Sequence, residues 1–272
     1  MYSKTVFPIY IAIILFISLS ACDGASSYIA NVSDNNQQKG DLGSPKSNLP
    51  VPDNRFSNEY KILLFGNSHV SNQADLINKI IKVGNNKAQV TVVNAGGGFL
   101  DDKGSQQRRN DLLTTQRWTH LILQGQKYSQ SGTVSYSTLE TQIWIEKAKN
   151  ESITPILFPE HPQLGRSKEG RQVHQLHSSI AAVQKSCVAP IGLAWDRVLM
   201  ISPSLRLHSS DGNHASLMGN LFTALVFYEV ITGNSADLLP YIADIDVDEP
   251  TQQLLGQIAS ETIQANTPCF FG

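Results

Sequence analysis

Cysteine is scarce: three residues among 272 cannot build the disulfide scaffold of a small secreted module or a four-cysteine zinc ribbon. The fold must therefore rest on apolar burial. A surplus of charge is also missing. The 21 Lys and Arg stand against 23 Asp and Glu, a formal net charge of −2, which argues against the basic footprint of a nucleic-acid binder and against an acidic solvating tail. No apolar run reaches the roughly 20 residues that a membrane-spanning helix needs. There is no phosphate-cradling glycine loop ending in Lys-Ser or Lys-Thr, and the run Gly96-Gly97-Gly98 has the wrong spacing for a dinucleotide fingerprint. What is left, 41% hydrophobic and 16% charged residues, suits an ordinary globular chain with one catalytic-sized domain.

The first residues read as an address. Lys4 precedes an almost wholly apolar run from Val6 to Leu19, and small residues follow it, the pattern of an export signal. Leu19-Ser20-Ala21-Cys22 resembles the lipobox of bacterial lipoproteins. That resemblance implies cleavage after Ala21, a diacylglycerylated Cys22 as membrane anchor, and a place in the bacterial cell envelope facing the periplasm or the exterior. Asp23 resembles an inner-membrane retention residue of some such proteins. An ordinary signal peptide or a short uncleaved anchor is the plainer alternative. Residues 22–58 are rich in Ser, Asn, Asp, Gln, Gly and Pro and show neither a helical nor a strand period, so they read as a flexible tether. The expected division is thus a signal at 1–21, a tether at 22–58 and a globular domain at 59–272. Export would leave Cys187 and Cys269 in an oxidising compartment, where a disulfide clamping the C-terminal tail to the core is expected; two buried free thiols are the alternative.

From Tyr60 onward, apolar runs alternate with helical periodicity. Strands are expected at Lys61–Phe65, Val90–Val93, His120–Leu123, Thr154–Phe158 and Ala189–Ala194. Helices are expected around Leu76–Ile81 with Gly84 as a cap, and at Leu139–Lys149, Val173–Lys185 and Ser216–Ile231, with a closing helix after Asp237. This alternation indicates an α/β fold: an open, mostly parallel five-stranded sheet covered on both faces, with its ligand site at the carboxyl ends of the strands.

Unusual polar residues gather at those ends. Ser68 follows the first strand in Gly66-Asn67-Ser68-His69, where a serine is either a nucleophile or simply a helix cap. His214 lies three residues after Asp211 in Asp211-Gly212-Asn213-His214. That spacing lets the carboxylate orient an imidazole acting as general base, although a turn-forming Asp and a loop His explain it equally well. The Gly96–Gly98 turn offers a backbone amide and Gln126 a carboxamide to a developing oxyanion; a flexible loop and a surface glutamine are the bland readings. Glu160 and His161 stand at the end of the fourth strand and, with Asn67 and His69, are candidates to line the cleft. His174 and His177 are three apart but lack a carboxylate or cysteine to complete a metal site. No metal and no cofactor is expected.

The blocks Gly66-Asn67-Ser68, Gly96-Gly97-Gly98, Gln124-Gly125-Gln126 and Asp211-Gly212-Asn213-His214 together resemble, in order and separation, those of the SGNH hydrolases, or GDSL-like esterases, over about residues 60–233. The resemblance implies a flavodoxin-like three-layer αβα sandwich and metal-free cleavage of carboxylic esters. It assigns Ser68 as nucleophile, His214 as general base and then acid, and Asp211 as its partner. The oxyanion hole it implies consists of the Ser68 amide, a glycine amide placed here at Gly97, and the Gln126 side chain. Two positions depart from the family pattern: Asn67 replaces an aspartate, and Gln126 replaces an asparagine.

The expected function is an exported, membrane-tethered serine esterase working through an acyl-enzyme, with O-acetyl or O-acyl groups on carbohydrate as the favoured substrate. A lysophospholipase or thioesterase, an O-acyltransferase, and a non-catalytic carbohydrate-binding or envelope-assembly lipoprotein are the alternatives. The expected partners are an acylated carbohydrate or lipid and a membrane reached through Cys22, with no nucleic acid.

Overall fold

A computed structural model describes residues 44–271 of the chain. The signal at 1–21, Cys22 and the first part of the expected tether lie outside the described residues.

Five strands form one sheet in the order β2-β1-β3-β4-β5, every neighbouring pair parallel. They are β1 (Glu59–Gly66), β2 (Gln89–Gly97), β3 (His120–Leu123), β4 (Thr154–Leu157) and β5 (Cys187–Val188). Parallel strands need crossovers, and helices supply most of them: α1 (Gln73–Gly84), α2 (Lys103–Thr114), α3 (Leu139–Asn150) and α4 (Glu169–Val183), followed by α5 (Ile191–Ile201), α6 (Leu217–Thr232) and α7 (Glu249–Ala265). Residues alternate between the two faces of β1. Ile62 and Leu64 enter the core shared with α1, α5, α6 and α7, whereas Leu63 and Phe65 enter the core shared with α3 and α4. The chain is therefore a flavodoxin-like αβα sandwich. Chain order reverses between β1 and β3, which opens a crevice at their carboxyl ends.

Two elements differ from the sequence reading. The fifth strand is Cys187–Val188, and the run after Pro190 is a helix. Proline ends the ladder because it has no N–H to donate, and Ile191, Ala194, Trp195 and Val198 recur every three or four residues, the spacing of one buried helical face. α2 escaped notice because only Arg109 and Leu113 of its residues are buried, so it has no apolar stripe to read.

The tether reading fails for residues 44–58, which lie along the domain. Val51 is buried and bridges to Phe271. The Asn54 carboxamide donates to the carbonyls of Thr119 and Ser152, and Glu146 accepts the N–H groups of Lys46 and Ser47. A polar, aperiodic segment can be ordered by its amides alone, which no hydropathy pattern reveals. At the other terminus the Cys187–Cys269 disulfide holds the tail, and Val188 N–H donates to Pro268 O on the outer edge of β5.

Three deeply buried histidines contribute to the response of this fold to acid. Burial pushes His120 and His161 down to about 3 and His177 to about 4. An unfolded chain binds these protons near pH 6.5 and the folded chain does not, so acid favours unfolding between those values. Stability held above pH 6.5 should fall as the pH drops, by up to about 1.4 kcal/mol per pH unit for each histidine. Urea midpoints compared at pH 7 and pH 5 should show the drop, and His177→Gln should flatten it by about one proton. An unchanged slope would refute that assignment.

Candidate active site

Ser68 begins a single turn of 3-10 helix, Ser68–Val70, directly after β1. The Asn67 side chain caps this turn by accepting from His69 N–H. Gly66 is required there by a close approach, because a Cβ on it would sit 2.5 Å from Gln124 Oε1. The turn leaves Ser68 exposed at the strand end.

His214 reaches Ser68 from the loop before α6, across 146 residues of sequence. Ser68 Oγ and His214 Nε2 are 2.7 Å apart, and His214 Nδ1 is 2.5 Å from Asp211 Oδ2. Asp211 Oδ1 accepts the N–H groups of Asn213 and His214 and the Ser209 hydroxyl. The hydrogen bond from the His214 side chain, and then these others, hold the Asp211 carboxyl well below the usual carboxylate range. An ionised Asp211 only accepts, so Nδ1 carries the imidazole proton and Nε2 is left to accept from the serine hydroxyl.

The loop after β4 braces this arrangement. His161 Nε2 meets Asn213 O at 3.0 Å, Gln163 Nε2 donates to Asn213 Oδ1, and Leu164 N–H donates to Gly212 O. The His161 ring stacks on Trp195 at a centroid distance of 3.9 Å. The His69 ring lies along the face of His214 at 5.3 Å. Glu160 accepts from Gln124 Nε2, and Gln124 Oε1 accepts from Asn67 N–H, a chain linking the ends of β4, β3 and β1. Asn67, His69, Glu160 and His161 therefore support the triad from behind. Asn67, His69 and Glu160 keep partly exposed surface beside Ser68, whereas His161, which the sequence also placed at the cleft, is buried outright.

Two oxyanion assignments also change. Gln126 is buried; its Nε2 donates to Lys127 O and Ser137 O, and its Oε1 accepts from Thr141 Oγ1. With both N–H groups committed, its carboxamide ties down the loop after β3 and has no donor for an anion. Gly97 pairs with Gly66, and Gly98 N–H donates to Gly66 O. In a parallel ladder this turns the polar groups of Gly97 away from β1, to the side where its carbonyl accepts from Ser105 Oγ. Gly96 N–H is bound by Asn94 Oδ1. Among the described residues, the N–H groups of Ser68 and Phe99 make no hydrogen bond.

Sequence reasoning missed Arg109. Its guanidinium is buried and donates to the carbonyls of Phe99, Gly96 and Gly98 at 2.9, 3.0 and 3.1 Å. Desolvation lowers it to about 10. Three carbonyls of one turn pointed at a single cation leave the amides of that turn facing elsewhere. A lone Arg on a polar helix gives no signal of this in the chain.

No family model matches the chain, and no curated protein does. Solved structures do. A DUF4886 family protein from Bacteroides uniformis matches with a TM-score of 0.63 at 14% identity, over 78% of this chain and 98% of the other. A protein assigned as an SGNH hydrolase from Slackia heliotrinireducens matches at 0.51 and 20% identity, over 63% and 98%. An acetyl xylan esterase matches at 0.51 and 16% identity, over 63% and 99%. At such identities the likeness is one of fold: this chain has the fold found among the SGNH hydrolases.

Proposed function

We propose that this chain, a Ser-His-Asp constellation on the SGNH hydrolase fold, is an exported serine esterase that cleaves carboxylic esters through an acyl-enzyme on Ser68. The observation carrying the reading is the continuous line from Asp211 through His214 to Ser68, with separations of 2.5 and 2.7 Å. His214 Nε2 takes the hydroxyl proton as Ser68 Oγ attacks the ester carbonyl. The oxyanion is held by the N–H groups of Ser68 and Phe99, neither of which is committed to another acceptor. His214 then gives its proton to the leaving alcohol. Water, deprotonated in turn by His214, attacks the acyl group and releases the acid. O-acyl groups on carbohydrate are the favoured substrate, a choice supported by the acetyl xylan esterase among the similar folds. Lipid anchorage through Cys22 belongs to the same reading.

Treating the protein with a fluorophosphonate and locating the adduct by mass spectrometry tests it. One adduct on Ser68 is expected. A folded protein that takes none would favour the non-catalytic, carbohydrate-binding alternative.

Arg109 is a positioning residue in this scheme, since it holds the turn that presents the Phe99 amide. Arg109→Met should lower kcat about 10- to 100-fold, less than the roughly 10²- to 10³-fold lost when an oxyanion donor itself is removed, because the Phe99 amide is displaced and not deleted. KM should stay within about threefold and Arg109→Lys should recover part of the rate, a split that general destabilisation would not produce. Equal rates for Arg109→Met and wild type would remove Arg109 from the mechanism.

A further inference from the structure

Because all five strands are parallel, they all begin at one end of the molecule, and Ser68 stands at the other. The beginning end is unusual. The first described residues run across it: Asn48 Nδ2 donates to Val183 O, Asn48 Oδ1 accepts from Lys185 N–H, and Asn54 bonds the starts of β3 and β4. Four large apolar side chains stand in solvent there, Leu49 at 42%, Phe56 at 81%, Val183 at 62% and Phe270 at 79% exposure. Beside Phe270 a cleft of about 600 Å³ opens between the N-terminal segment and the C-terminal tail, walled by Val51, Ala181, Val188 and Phe271. Exposed apolar groups gathered this way mark a contact surface.

Cations surround these groups. Lys46, Lys87 and Lys185 form no ion pair among the described residues, while Asp53 and Glu59 are paired with Arg55 and Lys61. Glu146, which stays charged while accepting the N–H groups of Lys46 and Ser47, and Glu151 are the remaining carboxylates at this end. The chain outside the structure joins at this same end. Cys22 lies about 20 residues before Ser44.

We propose that the strand-starting end of the domain docks on an anionic phospholipid bilayer, through Leu49, Phe56, Val183 and Phe270 set among Lys46, Lys87 and Lys185. Among the described residues no helix is long and apolar enough to cross a membrane, so the contact is interfacial, with apolar groups in the headgroup layer and lysines beside anionic lipid. Aromatic and aliphatic tips ringed by unpaired lysines suit that surface. The proposal deepens the esterase reading and rests on it for one consequence. β1 is eight residues long, about 25 Å, so Ser68 faces away from the bilayer. Its substrate then arrives from the aqueous side, which selects acylated polysaccharide over lipids of the same membrane.

The domain beginning at residue 43 contains the sheet, both cores and the disulfide, and so folds without the anchor. Its flotation with vesicles of phosphatidylcholine containing 30% phosphatidylglycerol, against phosphatidylcholine alone, tests the proposal. Binding is expected to be at least fivefold stronger to the anionic vesicles. It should fall at least fivefold in Phe270→Ser, Leu49→Ser and Lys185→Glu, each checked for an unchanged melting temperature. Leu164→Ser, which alters an exposed apolar residue beside the Asp211 loop, should bind as wild type. Ser68→Ala should too, so loss of the esterase reading would leave this result standing. Absence of binding to either vesicle, indifference to the Phe270 and Lys185 changes, or loss in Leu164→Ser would overturn it. A dimer dissolved by Phe270→Ser would also overturn it, by assigning the surface to a second copy of the chain.

Discussion

Ser68→Ala should lower kcat on p-nitrophenyl acetate by about 10³- to 10⁵-fold while leaving the protein folded. Ser68 is exposed, and its hydroxyl has the His214 ring as its side-chain partner, so its removal takes away the attacking atom without opening a cavity. His214→Ala should cost about as much. The double variant should be little worse than either single one, because the two groups act as a unit in one proton transfer. Asp211→Asn should also be slow, since an amide cannot hold Nδ1 in the protonated form that leaves Nε2 free to accept. The carboxyl of Asp211 lies well below the usual range and therefore stays ionised as the pH falls. Acid loss of rate should not trace to its protonation. Full turnover by Ser68→Ala would sink the mechanism.

The disulfide carries the second large effect. Cys187 and Cys269 are 82 residues apart in sequence, and closing a loop of that size removes about 4–5 kcal/mol of chain entropy from the unfolded state. Cys269→Ser, or reduction of the wild type, should therefore lower the unfolding free energy by about 4 kcal/mol. For a domain of this size the melting temperature should fall by about 8–16 °C. The tail carrying Cys269 covers the outer edge of β5 through Pro268 O and bridges Val51 through Phe271. Cys187→Ser should cost more still, since it places a hydroxyl at a fully buried position. Urea titrations with and without reductant measure this, and a difference under about 1 kcal/mol would mean that β5 and the tail hold together by packing alone.

The parts of the fold that could be read in advance share a physical cause. β1, β3 and β4 are short apolar runs because both faces of a central parallel strand are covered, and α1 and α4 show the stripe of helices with one face in solvent. α6 was legible for a different reason: it is apolar all round and buried along its length. α5 and α2 were missed, one because its apolar residues follow a strand without a gap, the other because its important residue is a cation. The order held by residues 44–58 was invisible because side-chain amides and a single valine supply it.

The site divides along the same line. Ser68, Asp211 and His214 were candidates from the chain because each sits in a local pattern, a serine at a strand end and a carboxylate three residues before an imidazole on a glycine turn, and the resemblance to the SGNH hydrolases gave them their roles. Local patterns survive in one dimension, and so do the alternation of strand and helix and the cysteine-poor composition of the protein. Which amides remain free to meet an oxyanion is a question of what every neighbouring donor and acceptor is already bound to. The Gln126 carboxamide is committed to Lys127 O and Ser137 O, Gly97 is turned away by its register with Gly66, and the proposed place of Phe99 depends on Arg109, partners that no spacing rule connects. The clustering of Leu49, Val183 and Phe270 at one end likewise exists only once the sheet has brought residues from three distant stretches together, because exposure is a property of the packed molecule and not of the residue.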